Sequence, residues 1–215
     1  QATLPNVDIK SFLRCIRFAG HQFPASPLNK FMPSGKHHTI MANADQPPNA
    51  DTLAREFRGF IAPEYVIVDA EAQRPYECDG LSAYRKLPML VTLPETIEQV
   101  QAILRICHEL QVPVVARGAG TGLSGGALPH QQGLLLGLAK FNQILEIDPQ
   151  RRTARVQPGV RNLAISQAAD AYGLYYAPDP SSQIACSIGG NVAENAGGVH
   201  CLKYGLTVHN VASVK

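Results

Sequence analysis

One stretch of the chain decides the fold, and it reads Arg117-Gly118-Ala119-Gly120-Thr121-Gly122-Leu123-Ser124-Gly125-Gly126. It directly follows the apolar run 112–116, which is typical of a buried strand. Glycine has no side chain to hinder close approach, and it readily adopts a positive φ. Successive backbone N–H groups in such a loop can point into one concavity and bind an anion. The stretch therefore predicts a loop that binds phosphate groups.

A nucleotide-binding Rossmann unit is the first alternative, because residues 120–125 satisfy G-x-G-x-x-G and Glu146 follows at a suitable distance. That pattern binds pyrophosphate at the N-terminus of a helix that starts inside the loop. Here Pro129 and Gly133 interrupt any such helix, and the apolar run 134–138 predicts a second strand. The order strand, glycine loop, strand argues against a Rossmann unit. A P-loop is also excluded, because no Gly-Lys-Ser/Thr follows.

A second glycine-rich segment spans 178–198 and contains two Gly-Gly pairs, at 189–190 and 197–198. The residues between the pairs, 191–196, fit one or two turns of helix. Small residues at both ends of a short helix allow another backbone or a flat ring to lie against it. One such pair alone would usually mark a tight turn. Two glycine-rich segments in one chain indicate a shared ligand site.

Four stretches carry a resemblance to a known family: 75–84, 113–129, 155–167 and 175–208. They resemble the FAD-binding domain of the vanillyl-alcohol oxidase type, also called the PCMH type. Within that family the chain is most similar to the FAD-linked D subunits of bacterial glycolate oxidases. The resemblance implies an α+β (α/β) fold, with a small βαβ-containing subdomain and a second, mixed or antiparallel subdomain. FAD would lie extended between the two.

The resemblance also implies which residues bind FAD, non-covalently. The loop would surround the pyrophosphate with Arg117, Gly118, Ala119, Gly120, Thr121, Gly122, Leu123, Ser124 and Gly125. The flavin side would be flanked by Asp179, Pro180, Ser181 and Ser182. The middle and ring of the cofactor would lie along Gly189, Gly190, Asn195, Ala196, Gly197 and Gly198. Two alternatives remain open: Arg117 binds only a carbonyl, or Asp179 only starts a turn before Pro180.

A covalent flavin link is not expected. The covalent members of the family use a histidine within the glycine loop, and this loop has none. His130 lies just beyond the loop and is the nearest candidate.

The activity implied by the resemblance is oxidation of a small 2-hydroxy acid such as glycolate or D-lactate, with hydride transfer to the flavin. By the family pattern, the catalytic base, the substrate-binding arginine and any metal-binding histidines belong to a later part of the polypeptide. We therefore assign no catalytic residue and no metal site, and we expect a chain truncated within its second subdomain and inactive alone. The implied partners are a flavin-type subunit and an iron–sulfur subunit.

Other functions remain open. The chain could be a non-catalytic FAD-binding module, or part of a D-lactate dehydrogenase, a D-2-hydroxyglutarate dehydrogenase or a sugar-lactone oxidase of the same fold. A nucleotide-sugar reductase-like flavoprotein is a weaker option.

Composition excludes several classes of protein. The net charge of +2 argues against nucleic-acid binding, and no apolar run reaches the length of about 20 residues that spans a membrane. The five cysteines lack C-x-x-C and ferredoxin spacing, which argues against structural zinc and an iron–sulfur cluster. The pairs 37–38 and 200–201 are interpreted as ordinary polar or packed residues. A reducing, cytoplasmic location fits, with attachment at the inner membrane only through partner subunits.

The predicted organisation has three parts: a loosely ordered segment 1–50 with a short helix at 11–19, a helix and lead-in at 51–86, and the FAD-binding domain 87–215. Its subdomains are 87–148 and 149–215. We expect a helix from Asp51 as N-cap to residue 60, and strands at 65–68, 89–93, 112–116, 134–138, 144–147 and 153–157. Strands 89–93 and 112–116 should pair in parallel around a helix that starts at Pro94. A later helix, 160–172, should end at Gly173.

Overall fold

The computed structural model describes residues 2–4, 6–9 and 48–215. Its strands are β1 (Ala2–Leu4), β2 (Asn6–Ile9), β3 (Val66–Ile67), β4 (Leu90–Thr92), β5 (Val114–Arg117), β6 (Leu134–Gly137), β7 (Ile144–Asp148), β8 (Thr153–Val156), β9 (Leu174–Tyr176) and β10 (Val211–Val214). Its α-helices are α1 (Ala50–Phe57), α2 (Ala70–Gln73), α3 (Ile97–Glu109), α4 (Asn162–Ala169), α5 (Ile188–Glu194) and α6 (Cys201–Tyr204). The predicted helix at 11–19 lies outside the described residues.

The first sheet has the strand order β3-β4-β6-β5. Strands β4, β6 and β5 are parallel, and β3 is antiparallel at the edge. The expected direct pairing of β4 with β5 is therefore wrong, because β6 lies between them. All four residues of β6 are buried, and a strand covered on both faces is favoured at the centre of a parallel sheet. Loop 118–133 joins β5 to β6 without a helix, as the glycine pattern predicts.

The predicted starts of α3 and α1 are wrong. Helix α3 begins after Thr96 rather than at Pro94, because the Thr96 side chain accepts from Gln99 N and the Gln99 side chain accepts from Thr96 N in return. This reciprocal capping box satisfies donors that a helix would otherwise leave unpaired at its first turn. Helix α1 is capped by Asn49, whose side chain accepts from Thr52 N, and not by Asp51.

One hydrophobic core joins α1, the first sheet and α3. It contains Leu53 and Phe57 of α1 together with Leu90, Ile103 and Leu134, all nearly inaccessible to solvent. The segment 51–86 therefore contributes to the first core, although the sequence predicts only a helix and a lead-in there.

The second sheet has the order β10-β2-β8-β7. Strands β7 and β8 form an antiparallel hairpin, as the turn at 149–152 predicts, whereas β2 is parallel to both of its neighbours. The structure corrects two expectations from the sequence, one about residues 144–148 and one about the N-terminal segment. Residues 144–148 belong to this sheet and not to the first subdomain, and residues 2–4 and 6–9 form strands instead of a loosely ordered segment. A sheet edge with unpaired N–H and C=O groups readily accepts a further strand.

A second, smaller core lies beneath this sheet, with Val156, Ile165, Tyr176 and Ile188 buried in it. Helix α4 continues into a 3₁₀ turn and ends at Gly173, which has φ +66°. This left-handed end confirms the predicted helix stop, because glycine adopts positive φ without steric cost. Strand β9 then leads the chain into the second glycine-rich segment.

Cys107 supplies a pH-dependent test of the first core. Burial raises the pKa of its thiol from 9.0 to about 12. The unfolded chain therefore releases this proton first, so the free energy of unfolding falls as pH rises from about 9 to about 12. The slope from this group is at most about 1.4 kcal/mol per pH unit. Cys107→Ala should flatten alkaline denaturation curves by that amount, and an unchanged slope would contradict the burial of the thiol.

Candidate cofactor site

The two glycine-rich segments meet at a cavity of about 210 Å³. One wall comes from the loop after β5, and the other from the turn 178–182 and helix α5. The cavity is lined by Asp79, Ala116, Arg117, Gly118, Ala119, Gly120, Thr121, Gly122, Gly126, Ala127, Leu138, Pro158, Pro180, Ser182, Cys186, Ser187, Gly189, Gly190, Asn191, Ala193, Glu194 and Ala196. Segments predicted to share one ligand thus line one space.

The two walls are in contact at Gly118. A Cβ atom added there would overlap Ser187 Oγ. Ser187 is the N-cap of α5, and its Oγ accepts from Gly190 N at 3.4 Å. The absence of a side chain at 118 therefore allows the loop to touch the beginning of α5 directly.

A second glycine, Gly189, allows helix α5 to pack closely against Pro158. Gly189 N donates to Pro158 O at 2.8 Å, and a Cβ at 189 would lie 2.8 Å from Pro158 Cβ. Beneath the helix, the buried Asn162 side chain donates to Pro178 O and to Asn191 Oδ1, each at 2.9 Å. This network holds the turn at 178 and helix α5 in one arrangement.

Arg117 is buried to 8% exposure and organises the loop from below. Its Nη1 donates to Tyr76 O at 3.4 Å and to Ala127 O at 3.5 Å, and the guanidinium lies 5.9 Å from the centre of the Tyr76 ring. Gly120 packs against this guanidinium and has φ +70°. A Cβ atom at position 120 would overlap the guanidinium. Burial lowers the pKa of Arg117, although an arginine stays charged at neutral pH.

Three charged side chains line the cavity among the described residues: Asp79, Arg117 and Glu194. Glu194 Oε2 accepts from Ser124 Oγ at 3.2 Å, so an exposed side-chain pair connects helix α5 with the glycine loop across the cavity. Two carboxylates and one guanidinium make the lining net negative when all three are charged.

Several predicted site residues lie outside this lining: Leu123, Ser124, Gly125, Asp179, Ser181, Asn195, Gly197 and Gly198. Asp179 is bound to His200, whose backbone N and Nδ1 lie 3.3 and 2.7 Å from its carboxylate oxygens. Gly198 packs directly on the backbone of Asp179. His130 is also outside the lining.

Other lining residues escaped the sequence prediction, among them Asp79, Pro158, Ser187 and Glu194. Asp79 belongs to one of the stretches that carry the family resemblance, but no pattern gives it a role. Ser187 stands three residues before Gly190, which is the spacing of an N-cap. Pro158 is brought to the cavity only by tertiary packing.

Comparison with known proteins agrees with this geometry. Residues 88–215 match the protein family described as "FAD binding domain". The chain belongs to this family. The match covers the loop after β5 and all of the second glycine-rich segment, and FAD is the cofactor that the family description names. The family domain has the PCMH-type fold, as the resemblance implies.

Curated relatives are similar over the same region. Glycolate oxidase subunit GlcD of Escherichia coli strain K12 is 74% identical over 141 residues, which are 66% of this chain and 28% of that protein. D-2-hydroxyglutarate dehydrogenase of Stutzerimonas stutzeri strain A1501 is 37% identical over 163 residues, which are 76% of this chain and 35% of that protein. The chain thus spans about a third or less of the length of these relatives.

Solved structures share the fold. Alkyldihydroxyacetonephosphate synthase superposes with a TM-score of 0.66 at 22% identity, over 75% of this chain and 32% of that one. p-Cresol methylhydroxylase superposes with a TM-score of 0.58 at 24% identity, over 68% of this chain and 29% of that one. At these identities the likeness concerns the fold alone.

The cavity lining has two features that suit a dinucleotide such as FAD. A side chain at Gly118 would overlap Ser187 on the opposite wall, and one at Gly189 would overlap Pro158, which supports α5. The loop also supplies backbone amides for a diphosphate.

Among residues 48–215 and the two N-terminal strands, no group of histidines, cysteines and carboxylates could hold a metal ion. In the same residues, no helix is long and apolar enough to cross a membrane.

Glu194 leads to a prediction about affinity. Its carboxylate lies at the cavity and repels a diphosphate, so Glu194→Gln should tighten FAD binding by about threefold to tenfold at low salt. The gain should shrink at high salt, because mobile ions screen exposed charges. The FAD affinities of the variant and the wild type are measured by titration, followed by flavin fluorescence. Glu146→Gln removes the same charge from the Arg155 ion pair outside the cavity and serves as control. Weaker binding by Glu194→Gln would show that the carboxylate assists the cofactor.

Proposed function

We propose that this chain is the FAD-binding part of a flavin-dependent oxidoreductase that oxidises a small 2-hydroxy acid. One observation carries the proposal: two glycine-rich segments, far apart in sequence, line one cavity in a chain of the FAD-binding domain family. The 74% identity to a protein named glycolate oxidase subunit supports the substrate class.

In this proposal the loop amides of 118–122 hold the diphosphate, with the Thr121 hydroxyl as a further donor. Arg117 supplies positive charge from beneath the loop and fixes its shape. Residues 180, 182, 189 and 190 border the rest of the cofactor. FAD held by these residues would supply the oxidising power for the carbon that carries the substrate hydroxyl, and the protein would orient and tune it. We assign no base to the described residues. Binding is non-covalent, because the loop has no histidine.

The identity of the acid is left open by the relatives, which include D-2-hydroxyglutarate dehydrogenase and D-lactate dehydrogenase of Anaerostipes hadrus, 38% identical over 148 residues. These substrates share a carboxylate next to a secondary or primary alcohol. The name "subunit" of the first relative supports partner proteins, and we propose flavin-type and iron–sulfur subunits in the cytoplasm or at the inner membrane surface.

A chimera tests the proposed function. The matching 141 residues of the E. coli glycolate oxidase subunit are replaced by those of this chain, and the chimera is purified with its partner subunits. We expect bound FAD and glycolate-dependent dye reduction near the parent level. The isolated chain should bind FAD without turnover.

The outcomes separate the alternatives. A chimera that binds FAD but does not oxidise glycolate, D-lactate or D-2-hydroxyglutarate would favour a non-catalytic FAD-binding module. A correctly folded chimera without FAD would contradict the proposal altogether.

A further inference from the structure

Asp79 is a buried carboxylate at the cavity, and one of its two oxygens has no hydrogen-bond partner. Its exposure is 5%. Its Oδ1 accepts from Leu81 N at 2.9 Å, which closes a local turn. Its Oδ2 is also buried and has no hydrogen-bond partner, and the residue lines the cavity.

An unpaired buried carboxylate oxygen is unfavourable, because the group loses its water and gains nothing in return. Arg117 is near enough to interact electrostatically with Asp79, yet its guanidinium donates to the carbonyls of Tyr76 and Ala127. Among the described residues, the other buried unpaired side-chain atoms belong to Thr92, Asn162 and Tyr176, none of which lines the cavity. Of these four residues, Asp79 is therefore the one that carries a carboxylate and lines the cavity.

The position of Asp79 beside the loop limits what its partner can be. A Cβ at Gly80 would lie 2.8 Å from Thr121 O and 2.7 Å from Gly122 O, so this segment packs against the part of the loop that would hold the diphosphate. A carboxylate repels a phosphate, and it strongly accepts from a hydroxyl. In FAD the groups on either side of the diphosphate are the ribityl chain and the ribose, both rich in hydroxyls.

We propose that Asp79 Oδ2 accepts a hydrogen bond from a sugar or sugar-alcohol hydroxyl of the cofactor adjacent to its diphosphate. The inference rests on the proposed function, since it takes FAD as the ligand. It makes Asp79 a cofactor-binding residue contributed by the segment before the FAD-binding domain. The unpaired oxygen is then the partner that the bound hydroxyl needs.

This role predicts opposite effects on stability and on binding. Asp79→Asn keeps an oxygen for Leu81 N and removes the buried negative charge, so the FAD-free protein should be at least as stable as the wild type in thermal denaturation. FAD should bind about 10-fold or more weakly, because a hydrogen bond to a charged carboxylate is stronger than one to a neutral amide. A merely structural carboxylate would give lower stability with unchanged FAD affinity.

The control is Thr92→Val, which removes another buried unpaired oxygen, in β4 and away from the cavity. Its FAD affinity should equal that of the wild type. ADP and FMN separate the two hydroxyl sources, since ADP carries the ribose and FMN the ribityl chain. For Asp79→Asn, weaker binding of only one of these probes supports the proposal and identifies the source.

Four results would overturn the inference: FAD affinity of Asp79→Asn within about twofold of wild type, a destabilised or unfolded variant, equal weakening of ADP and FMN, or weakening of neither. A wild-type chain that binds no FAD would be a different failure, because it removes the proposed function itself.

Discussion

Gly118→Ala is expected to weaken FAD binding about 100-fold. The new Cβ would overlap Ser187 Oγ, so either the loop moves outward or helix α5 loses its N-cap contact. Forcing an extra methyl group into a tight contact costs about 1–3 kcal/mol, and here the displaced groups are the two walls of the cavity. Isothermal titration of the purified chain with FAD measures the loss.

A second substitution tests whether that overlap is the cause. In Gly118→Ala/Ser187→Ala the offending oxygen is absent, and the remaining Ser187 Cβ lies 3.4 Å from the position of the new Cβ. The double variant should recover much of the affinity, although Ser187→Ala alone loses a helix cap of about 1 kcal/mol. Strictly additive effects of the two changes would contradict direct contact.

Arg117→Gln is expected to have the second large effect, lowering both stability and FAD affinity. The carbonyls of Tyr76 and Ala127 would lose their buried donor, which predicts a loss of about 2–4 kcal/mol in the free energy of unfolding. The cavity would also lose its positive charge, and we expect FAD affinity to fall about 100-fold. Urea denaturation and FAD titration measure the two effects separately.

The matched control is Arg155→Gln, which removes a guanidinium from an exposed pair with Glu146. Exposed ion pairs contribute about 0–1 kcal/mol, so stability should change little and FAD affinity should not change. A further variant, Arg117→Lys, keeps the charge but not the forked donor geometry. If that lysine variant is as stable as the wild type, the two carbonyl contacts are not what makes Arg117 important.

Local sequence patterns predict those parts of the fold that are determined by interactions between residues close together in the chain. The loop without a helix, the hairpin at 149–152 and the helix stop at Gly173 follow from glycine, proline and turn residues. The start of α3 is misplaced by the sequence because two signals compete there, and the Thr96–Gln99 capping box prevails over Pro94. Strand order is misassigned because the apolar run 134–138 indicates a buried strand but does not specify which two strands lie on either side of it.

The candidate site is predictable where a glycine marks close approach and is missed where tertiary packing brings ordinary residues in. Gly118, Gly189 and Gly190, which the sequence predicts to bind the cofactor, line the cavity. Pro158 and Asp79 reach it from segments with no ligand signature. Asp179 has the local pattern of a site residue; in the structure its carboxylate contacts His200, and it is not among the residues that line the cavity.

The contact between Ser124 and Glu194 joins positions 70 residues apart along the chain. On the ribosome, the first core and its glycine loop are complete well before α5 is synthesised. A cofactor held between the two walls would find only one of them until translation has passed that helix. We therefore expect flavin capture only after α5 has been synthesised and has packed beside the glycine loop.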